Sequence, residues 1–425
     1  MFSDNMFSVF DFASGISEAI DLVSPELNDH HKKVAYISYS IATEMNLPDE
    51  GIRNIVLAAI LHDIGAFTSE ERLQVVYSLF NDSEYDRHQI MGYKLLRDFA
   101  PFAGAAELIK HHHAHFDKSP AGIPIGSYII HLADRISVML DGQREILGQV
   151  PKIMLDIDRN RSIFHPSTLS ALRRIANKEY FWIETSMLSI CAVMPETMRF
   201  ARKIVDLETL RGLAKVIAQI IDFRSRFTST HSSGVAAVAA ELTAISGFSK
   251  KECMLMEIAG YLHDIGKLAI PNDILEKNGA LNHEEFNAMR KHSYYTYVIL
   301  SKIKGFEQIA MWAAYHHEKL NGNGYPFHVK GDNFTKLARI MAVADIVTAI
   351  TENRPYRLGM DSNKAIGILS DMVDSGGIDK GIVDIVRENF PRISEVRMKA
   401  QLKAQQEYSD FYGFEESEAR SRRSE

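Results

Sequence analysis

The sequence contains very little cysteine, and this scarcity excludes two kinds of site. Only Cys191 and Cys253 occur among 425 residues, far apart and outside any CxxC spacing. A disulfide framework and a thiolate metal site are therefore not expected, and a reducing compartment is favoured. Any metal site in this chain has to be built from histidine and carboxylate side chains.

Long apolar runs and an excess of basic residues are also missing. No segment reaches the ~18 consecutive apolar residues of a membrane-spanning helix, and the start, "MFSDNMFSVFDFASG", has no basic leader pattern. The formal net charge is −7 and the isoelectric point is near 6.2. We therefore expect a cytoplasmic protein with neither a membrane nor a polymeric nucleic acid as its partner.

Runs of alternating strand residues are absent, and the periodicity is helical almost throughout. In "GIRNIVLAAILHDIG" (51–65) the apolar residues recur every three or four positions and form one helix face. Two start signals agree with this interpretation: Ser249 stands three residues before Glu252, and Asn282 stands three before Glu285. The prediction is an all-α protein, and its length favours two compact domains.

A repeat of histidines and aspartates carries the functional argument. The stretch "ILHDIGAF" (60–67) nearly recurs as "YLHDIGKLAIP" (261–271). The candidate ligands of the second half are His231, His263, Asp264, His292, His316, His317 and Asp345; those of the first half are His30, His62, Asp63, His88, His112, His113 and Asp134. The intervals from the first to the second histidine (32) and from the third to the following pair (24) are equal in both halves. The remaining intervals differ by 3 and 7 residues, as insertions in loops would produce.

Each set has the chemistry of a dinuclear metal site. Imidazole and carboxylate ligands suit iron, manganese, zinc or nickel, and a carboxylate can bridge two cations. Neighbouring helix residues point about 100° apart, so a His-Asp pair can approach one cluster from two directions. Two such metals can polarise a phosphoryl group and activate water. A single histidine on an apolar face is more often a packed residue than a ligand, so the prediction of phosphate-ester hydrolysis rests on the ordered series.

At these residues the second half resembles the HD-GYP domain, the phosphodiesterase branch of the HD superfamily. The resemblance covers roughly residues 205 to 400 through "FTSTHSSGV", "LHDIGKLAIP", "MRKHSYYTYVIL", "HHEKLNGNGYP", "VADIVTAI" and "RPYR". It implies hydrolysis of a bacterial cyclic dinucleotide, most often cyclic di-GMP, to a linear dinucleotide or mononucleotides. It also implies a di- or trinuclear iron or manganese centre held by the seven candidate ligands of the second half.

The resemblance further implies how substrate is bound. It assigns Asp264 and Lys267 to catalysis, with Lys267 near the scissile phosphate, and places a substrate-binding loop beside the pocket. The implied substrate-binding residues are Lys267, Gly322, Gly324, Tyr325, Pro326, Arg354 and Arg357. Two departures stand out: Asn321 replaces the usual aspartate, and Phe227 cannot supply a glutamate for a third metal. Two divalent transition metals, iron or manganese, are therefore expected in this half.

The first half resembles a divergent copy of the same domain. It retains the ligand series, and Glu26 lies four residues before His30, but it has Ala66 where the second half has Lys267, and it lacks the GYP loop. We expect two tandem HD-type helical bundles: a divergent, regulatory or metal-binding domain at 1–200, a catalytic HD-GYP domain at 201–402 and a polar tail at 403–425. The extra residues His111 and His115 are interpreted as surface residues.

Other functions stay open at this point. The chain could be another HD-type nucleotide phosphohydrolase, against which the GYP loop and Lys267 argue. It could also be a signalling protein that binds a cyclic dinucleotide without turnover, against which the complete ligand set argues for the second half alone. The residues do not choose among cyclic di-GMP, cyclic GMP-AMP and cyclic di-AMP. They also leave a homodimer or a signalling protein partner undecided.

Overall fold

A computed structural model of the chain describes residues 7–21, 29–66, 71, 87–186, 204–223, 230–277, 279–353 and 358–422. The described residues divide into two compact units, with the boundary between Val205 and Asp206. Both units are helical, which confirms the all-α prediction. The predicted domain limits of 1–200, 201–402 and 403–425 remain predictions.

The first unit contains one short strand pairing and nine α-helices in its described part. Strand β1 (Phe7–Ser8) pairs antiparallel with β2 (Ile204–Val205). The helices are α1 (Val9–Asp21), α2 (His30–Glu44), α3 (Asp49–Leu61), α4 (Arg87–Leu96), α5 (Ala103–Ile109), α6 (Ile125–Met139), α7 (Val150–Arg159), α8 (Pro166–Ala176) and α9 (Glu179–Ser186). Helix α2 packs against α3 and α6, and α3 packs against α5, so four ligand-bearing segments meet in this core.

The second unit repeats this arrangement and adds a long closing helix. Its described α-helices are α10 (Leu207–Phe223), α11 (His231–Ile245), α12 (Lys250–Leu262), α13 (Asn272–Leu275), α14 (His283–Ser301), α15 (Glu307–Ala314), α16 (Lys336–Thr351), α17 (Ser362–Asp374), α18 (Lys380–Glu388) and α19 (Phe390–Arg422). Helix α11 packs against α12, α16 and α19. A Cβ added at Gly260 would lie 2.5 Å from the Cα of Ala236, so glycine is what permits the close approach of α12 to α11.

Helix starts follow the sequence signals. Ser249 caps α12 and Asn282 caps α14, each in a capping box with the glutamate three residues later, which confirms both predicted starts. Helix α12 ends directly at His263, and the following turn, Ile265–Ala269, is a 3₁₀ helix. The predicted His-Asp pair therefore lies where α12 ends and the chain turns. Within the described part of the chain, no helix combines the length and the apolar character needed to cross a bilayer.

Candidate metal centres

The second unit brings all seven of its predicted ligands into one cluster. His231 is the first residue of α11, and His263 with Asp264 follows α12. His292 lies inside α14, and Asp345 lies inside α16. The pair His316 and His317 belongs to the 3₁₀ turn Tyr315–His317 that follows α15. Five separate segments thus each contribute one or two side chains.

The contacts of this cluster centre on the two carboxylates. The Nε2 of His231 lies 3.2 Å from Oδ1 of Asp345, and the Nε2 of His263 lies 3.2 Å from Oδ2 of Asp264. On the other side of Asp264, Oδ1 lies 3.4 Å from the Nε2 of His292 and 3.9 Å from that of His316. The Nδ1 of His317 lies 3.9 Å from Oδ2 of Asp345. Each carboxylate therefore reaches histidines from different helices.

Backbone hydrogen bonds set which ring nitrogen faces the cluster. The Nδ1 atoms of His263, His292 and His316 donate to the carbonyls of the residues three positions earlier, at 2.7, 2.6 and 2.7 Å. A neutral imidazole that donates through Nδ1 carries its lone pair on Nε2. All three Nε2 atoms face the Asp264 carboxylate, which is the orientation that metal-binding histidines require.

The residues present fit a pair of metal ions. His292, His316 and His317 form one group, and His231, His263 and Asp264 form another, with candidate ligand atoms within 4.8 Å of one another in each group. The buried Oδ1 of Asp264 has no hydrogen-bond partner. A buried carboxylate oxygen without a hydrogen-bond partner is costly, and a cation bound between it and the neighbouring imidazole nitrogens would remove that cost. Asp264 touches both groups, as a bridging carboxylate would.

The charges of the cluster are consistent with ligation. Burial lowers the pKa of His292 to about 3 and that of His316 well below its ordinary value, so both rings are neutral donors at pH 7. Burial opposes ionisation of Asp264, but the neighbouring charges of His263 and Lys267 lower the pKa of its carboxyl. Asp264 is therefore an anion beside the neutral rings of His292 and His316, and the anion is the state in which a carboxylate binds metals.

Lys267 lies beside Asp264 at the more open edge of the cluster. Its Nζ lies 2.5 Å from Oδ2 of Asp264, and 23% of its side chain is exposed. Burial opposes the charge on Lys267, but the hydrogen bond to Asp264 and the combined charges of the nearby carboxylates raise its pKa, so the side chain remains an ammonium. The side chain of His317 is also open, at 31% exposure. A cation and a candidate ligand thus border the side from which an anion could approach.

The predicted GYP loop lies against this open edge. The ring of Tyr325 is 4.9 Å from that of His317, and the guanidinium of Arg290 lies 4.7 Å from the centre of the Tyr325 ring. Gly322 has a φ of +76°, and the Tyr325–Pro326 peptide bond is cis. A Cβ added at Gly324 would lie 2.4 Å from the backbone of Glu318, so the loop folds tightly onto the histidine turn.

Three acidic residues of the second unit take part in the site and were not predicted from the sequence. Glu318 is buried, and its carboxylate accepts hydrogen bonds from the N–H groups of Phe327 (2.7 Å), His328 (3.1 Å) and Val329 (3.1 Å), which fixes the loop. Glu352 lies 3.1 Å from the Nδ1 of His231 and orients that ring. It stands seven residues after Asp345, two turns along, and this spacing is the signal that could have found it. Asp222 accepts from the hydroxyl and the N–H of Ser232.

Three predicted site residues fall outside the described part of the chain. They are Glu26 of the first half and Arg354 and Arg357 of the second half. Their assignments remain predictions.

The first unit brings its remaining predicted ligands together in the same way. The Nε2 of His30 lies 3.3 Å from Oδ1 of Asp134, and the Nε2 of His62 lies 3.3 Å from Oδ2 of Asp63. The Nδ1 of His62 donates to the carbonyl of Ala59 at 2.9 Å, which matches His263 in the second unit. His88, His112 and His113 lie together beside Asp63. Glycine recurs in the turn as well, since a Cβ at Gly65 or Gly266 would meet the carbonyl of the next ligand histidine at 2.1 or 1.9 Å.

Two buried residues distinguish the first cluster and were not predicted. His31 binds Asp21 through Nδ1, and its Nε2 lies 3.8 Å from Oδ2 of Asp63. Arg135 is buried and contacts Oδ2 of Asp134 through both Nε, at 3.2 Å, and Nη2. His31 adjoins His30 in the sequence, and Asp21 precedes it by ten residues, as Asp222 precedes Ser232. That shared interval is the signal that could have revealed it.

Comparisons with known proteins agree with the tandem arrangement. A family model described as HD domain matches residues 28–139, and another HD domain model matches residues 215–382. The 3'3'-cGAMP-specific phosphodiesterase 1 of Vibrio cholerae is 29% identical over 390 residues, which cover 88% of this chain and 90% of the relative. A cyclic di-GMP phosphodiesterase response regulator of Xanthomonas campestris is 37% identical over 164 residues, 38% of this chain and 42% of the relative.

A solved structure matches the whole fold. The crystal structure of a cyclic GMP-AMP-specific phosphodiesterase of Vibrio cholerae superimposes with a TM-score of 0.64 and 21% identity, covering 95% of this chain and 98% of that one. This likeness shows the fold, and the family models show that the chain carries two HD domains in tandem. The chain is homologous to the HD-GYP phosphodiesterases of cyclic dinucleotides.

Proposed function

We propose that the second HD domain is a metal-dependent phosphodiesterase that hydrolyses a cyclic dinucleotide, with 3'3'-cGAMP preferred over cyclic di-GMP. The observation that carries the assignment to phosphate-ester hydrolysis is the clustering of Asp264 with the six other candidate ligands, with Lys267 at the open edge. The choice of 3'3'-cGAMP rests on the relative of that specificity, which matches 88% of this chain, both HD domains included. The cyclic di-GMP phosphodiesterase response regulator matches only 38%.

The ligand set would hold two divalent metals, iron or manganese. His292, His316 and His317 would bind one metal, His231 and His263 the other, and Asp264 and Asp345 adjoin both groups. When bound, such a pair supplies Lewis-acid polarisation of the phosphoryl oxygens and activation of water. Glu352 holds His231 in place through its Nδ1.

Lys267 and Tyr325 would bind the substrate. The Lys267 ammonium can neutralise charge on the phosphate oxygens as the attack of water on phosphorus develops. Tyr325 offers an aromatic face beside His317 for a nucleobase, and Arg290 supplies a cation close to that ring. Glu318 keeps the loop of Gly322, Gly324 and Pro326 in shape. Arg354 and Arg357 are proposed to bind the substrate as well. Hydrolysis of one phosphodiester bond would give a linear dinucleotide, and hydrolysis of both would give mononucleotides.

Product analysis tests this proposal. The purified chain, loaded separately with manganese and iron, is incubated with 3'3'-cGAMP, cyclic di-GMP and cyclic di-AMP, and a panel of linear nucleotides serves as a control for other phosphohydrolase activity. We expect 3'3'-cGAMP to be consumed fastest and the Asp264→Ala variant to be inactive. Faster turnover of cyclic di-GMP would overturn the substrate preference alone. Binding without turnover of any cyclic dinucleotide would overturn the enzymatic assignment.

A further inference from the structure

The first cluster is more closed than the second. Every candidate ligand described there is at most 7% exposed, including His113 at the position that corresponds to His317. The His317 side chain, by contrast, is 31% exposed. Structural metal sites are filled by protein ligands, whereas catalytic sites keep one position open. The difference in exposure therefore points to different uses of the two clusters.

Four donors of the first cluster lie together as one group. Asp63, His88, His112 and His113 are all buried, and their candidate ligand atoms lie within 4.8 Å of one another. The corresponding group of the second cluster contains only its three histidines. The first cluster thus has four donors that all lie close to one another, whereas in the second cluster Asp264 is grouped with His231 and His263 instead of with all three of these histidines.

The spacing of these donors suits a tetrahedral ion. The Nε2 of His88 lies 3.2 Å from that of His112 and 3.5 Å from Oδ1 of Asp63, and the Nε2 of His112 lies 3.7 Å from the same oxygen. Two ligand atoms that bind zinc at ordinary distances and tetrahedral angles are about 3.3 Å apart. The Nδ1 of His112 donates to the carbonyl of Ile109 at 2.7 Å, so its Nε2 is the lone-pair donor. The buried Oδ1 of Asp63 has no hydrogen-bond partner and faces these rings.

The other carboxylate of the cluster is engaged elsewhere. Oδ2 of Asp134 is held by the buried guanidinium of Arg135, whereas the corresponding position after Asp345 is Ile346. Asp134 also forms a group of possible ligands with His30 and His62, but it offers that group only Oδ1 and so cannot bridge two cations through its two oxygens. A buried cation beside it also disfavours a second metal ion. These contacts argue for a single metal at the four-donor group.

The position of the phosphate-binding lysine is filled as well. In the second cluster Lys267 contacts Oδ2 of Asp264. In the first cluster His31 lies beside Oδ2 of Asp63, and the other ring nitrogen of His31 contacts Asp21. The Nε2 of His31 is buried and carries no hydrogen bond. A half-buried ammonium is thus exchanged for a buried imidazole, and among the residues that the structure describes none supplies a cation at this position of the first cluster.

We propose that Asp63, His88, His112 and His113 form a closed four-ligand site for one divalent transition metal of the zinc type, and that this metal is structural. It ties the ends of α3 and α5 to α4 and takes no part in phosphate-ester hydrolysis. Imidazole-rich sets with a single carboxylate suit zinc. The proposal concerns the first domain alone, so its failure would leave the proposed function of the second domain untouched.

Metal counting on the full chain tests the site. Wild type, His113→Ala and His31→Ser are purified identically, loaded with zinc, dialysed against a weak chelator and analysed for metal per chain. His113→Ala removes one of the four ligands, and we expect it to carry one zinc fewer than wild type. His31→Ser is the matched control, because it removes a buried histidine of the same cluster outside the four-donor group. Serine is also what the second domain has at this position, where Ser232 donates to Asp222. We expect His31→Ser to keep the wild-type metal content.

Thermal unfolding with and without a chelator provides a second measurement, in which each variant is compared with itself. Zinc that binds the folded state alone raises the melting temperature. We expect the strong chelator EDTA to lower the melting temperature of wild type and of His31→Ser by the same amount, and to lower that of His113→Ala by less. Equal metal content in wild type and His113→Ala would overturn the site. Equal loss in His113→Ala and His31→Ser would overturn the choice of the four ligands.

Discussion

Lys267 tests whether phosphate binding and metal binding depend on different residues, as the proposed function requires. Its ammonium contacts Asp264 at the open edge of the cluster and has no lone pair to offer a metal. We expect Lys267→Ala to lower kcat by about 10²–10³, the usual loss for one electrostatic contact made in the transition state. Steady-state kinetics with metal analysis measures this. Lys277→Ala, which removes an exposed lysine paired with Glu285, is the control and should leave kcat unchanged. Metal loss in Lys267→Ala would show a structural role instead.

Glu352 tests whether a residue that orients a candidate ligand affects metal affinity. Its carboxylate lies 3.1 Å from the Nδ1 of His231. Burial opposes protonation of His231, but the Glu352 and Asp345 carboxylates raise its pKa to about 10, so the ring has to lose a proton when it binds a metal. Glu352→Gln keeps the shape and removes the charge, and we expect metal affinity to fall by about 10–100-fold, as is typical for partners that orient a metal ligand. Competition with a chromophoric chelator measures the affinity. Glu388→Gln, on the exposed end of α18, should not change it.

The clustering of the candidate ligands could be predicted from their ordered series in the sequence, whereas their hydrogen-bonding partners could not. Histidine and aspartate at matched intervals in two halves signal a metal site without any knowledge of the fold. The Asp134–Arg135 ion pair gives no such signal, because adjacent helix residues do not normally face each other. Glu318 adjoins the histidine pair in sequence, but its role depends on three N–H groups nine to eleven residues further on. Such contacts follow from loop conformation, which has no periodicity to reveal it.

At the scale of elements, the close contact between the turn after α12 and helix α14 can be tested by its effect on stability and metal binding. A Cβ at Gly266 would lie 1.9 Å from the carbonyl oxygen of His292, so the turn and α14 would have to separate. We expect Gly266→Ala to lower the free energy of unfolding by about 1–3 kcal/mol and to weaken metal binding, because Asp264 and His292 move apart. Urea denaturation and metal titration measure the two effects.

Gly367 provides the matched control within the same domain. It lies inside α17, and a Cβ there would meet nothing within 4 Å. Gly367→Ala should leave metal binding intact and stabilise the protein by about 0.5–1 kcal/mol through the backbone entropy of glycine. If Gly266→Ala is as well tolerated as Gly367→Ala, close contact between the turn and α14 does not control the cluster.

The elements also show what periodicity can and cannot predict. The apolar stripe of 51–65 and the capping boxes at Ser249 and Asn282 correctly indicated α3, α12 and α14. These signals are local, so they can be recognised from a short window. The meeting of α2, α3 and α6 around His30, His62 and Asp134 is a tertiary property. It could be inferred only because metal chemistry requires these residues to converge.

At the scale of the whole molecule, the tandem repeat provides its own control for every ligand. Asp63 and Asp264 occupy the same position in the two HD domains, each following the end of a helix and each with a buried Oδ1 that carries no hydrogen bond. They differ in what stands beside them. Asp264 has Lys267 and the GYP loop, whereas Asp63 has His31, and Ala66 stands where the lysine would be. Replacing each of these aspartates in turn therefore tests which domain hydrolyses the substrate.

We expect Asp264→Ala to abolish hydrolysis of 3'3'-cGAMP and Asp63→Ala to leave most of it. In the second domain the carboxylate adjoins both groups of ligands and the lysine, so its loss removes the ion pair and a shared ligand together. In the first domain the same change should remove one metal and lower the melting temperature, because that metal binds the folded state only. Turnover, metal per chain and melting temperature are measured on both variants. Loss of turnover in Asp63→Ala with the second domain's metal retained would mean that the first domain either catalyses the reaction or controls it. If neither variant loses turnover, neither aspartate is needed for the chemistry.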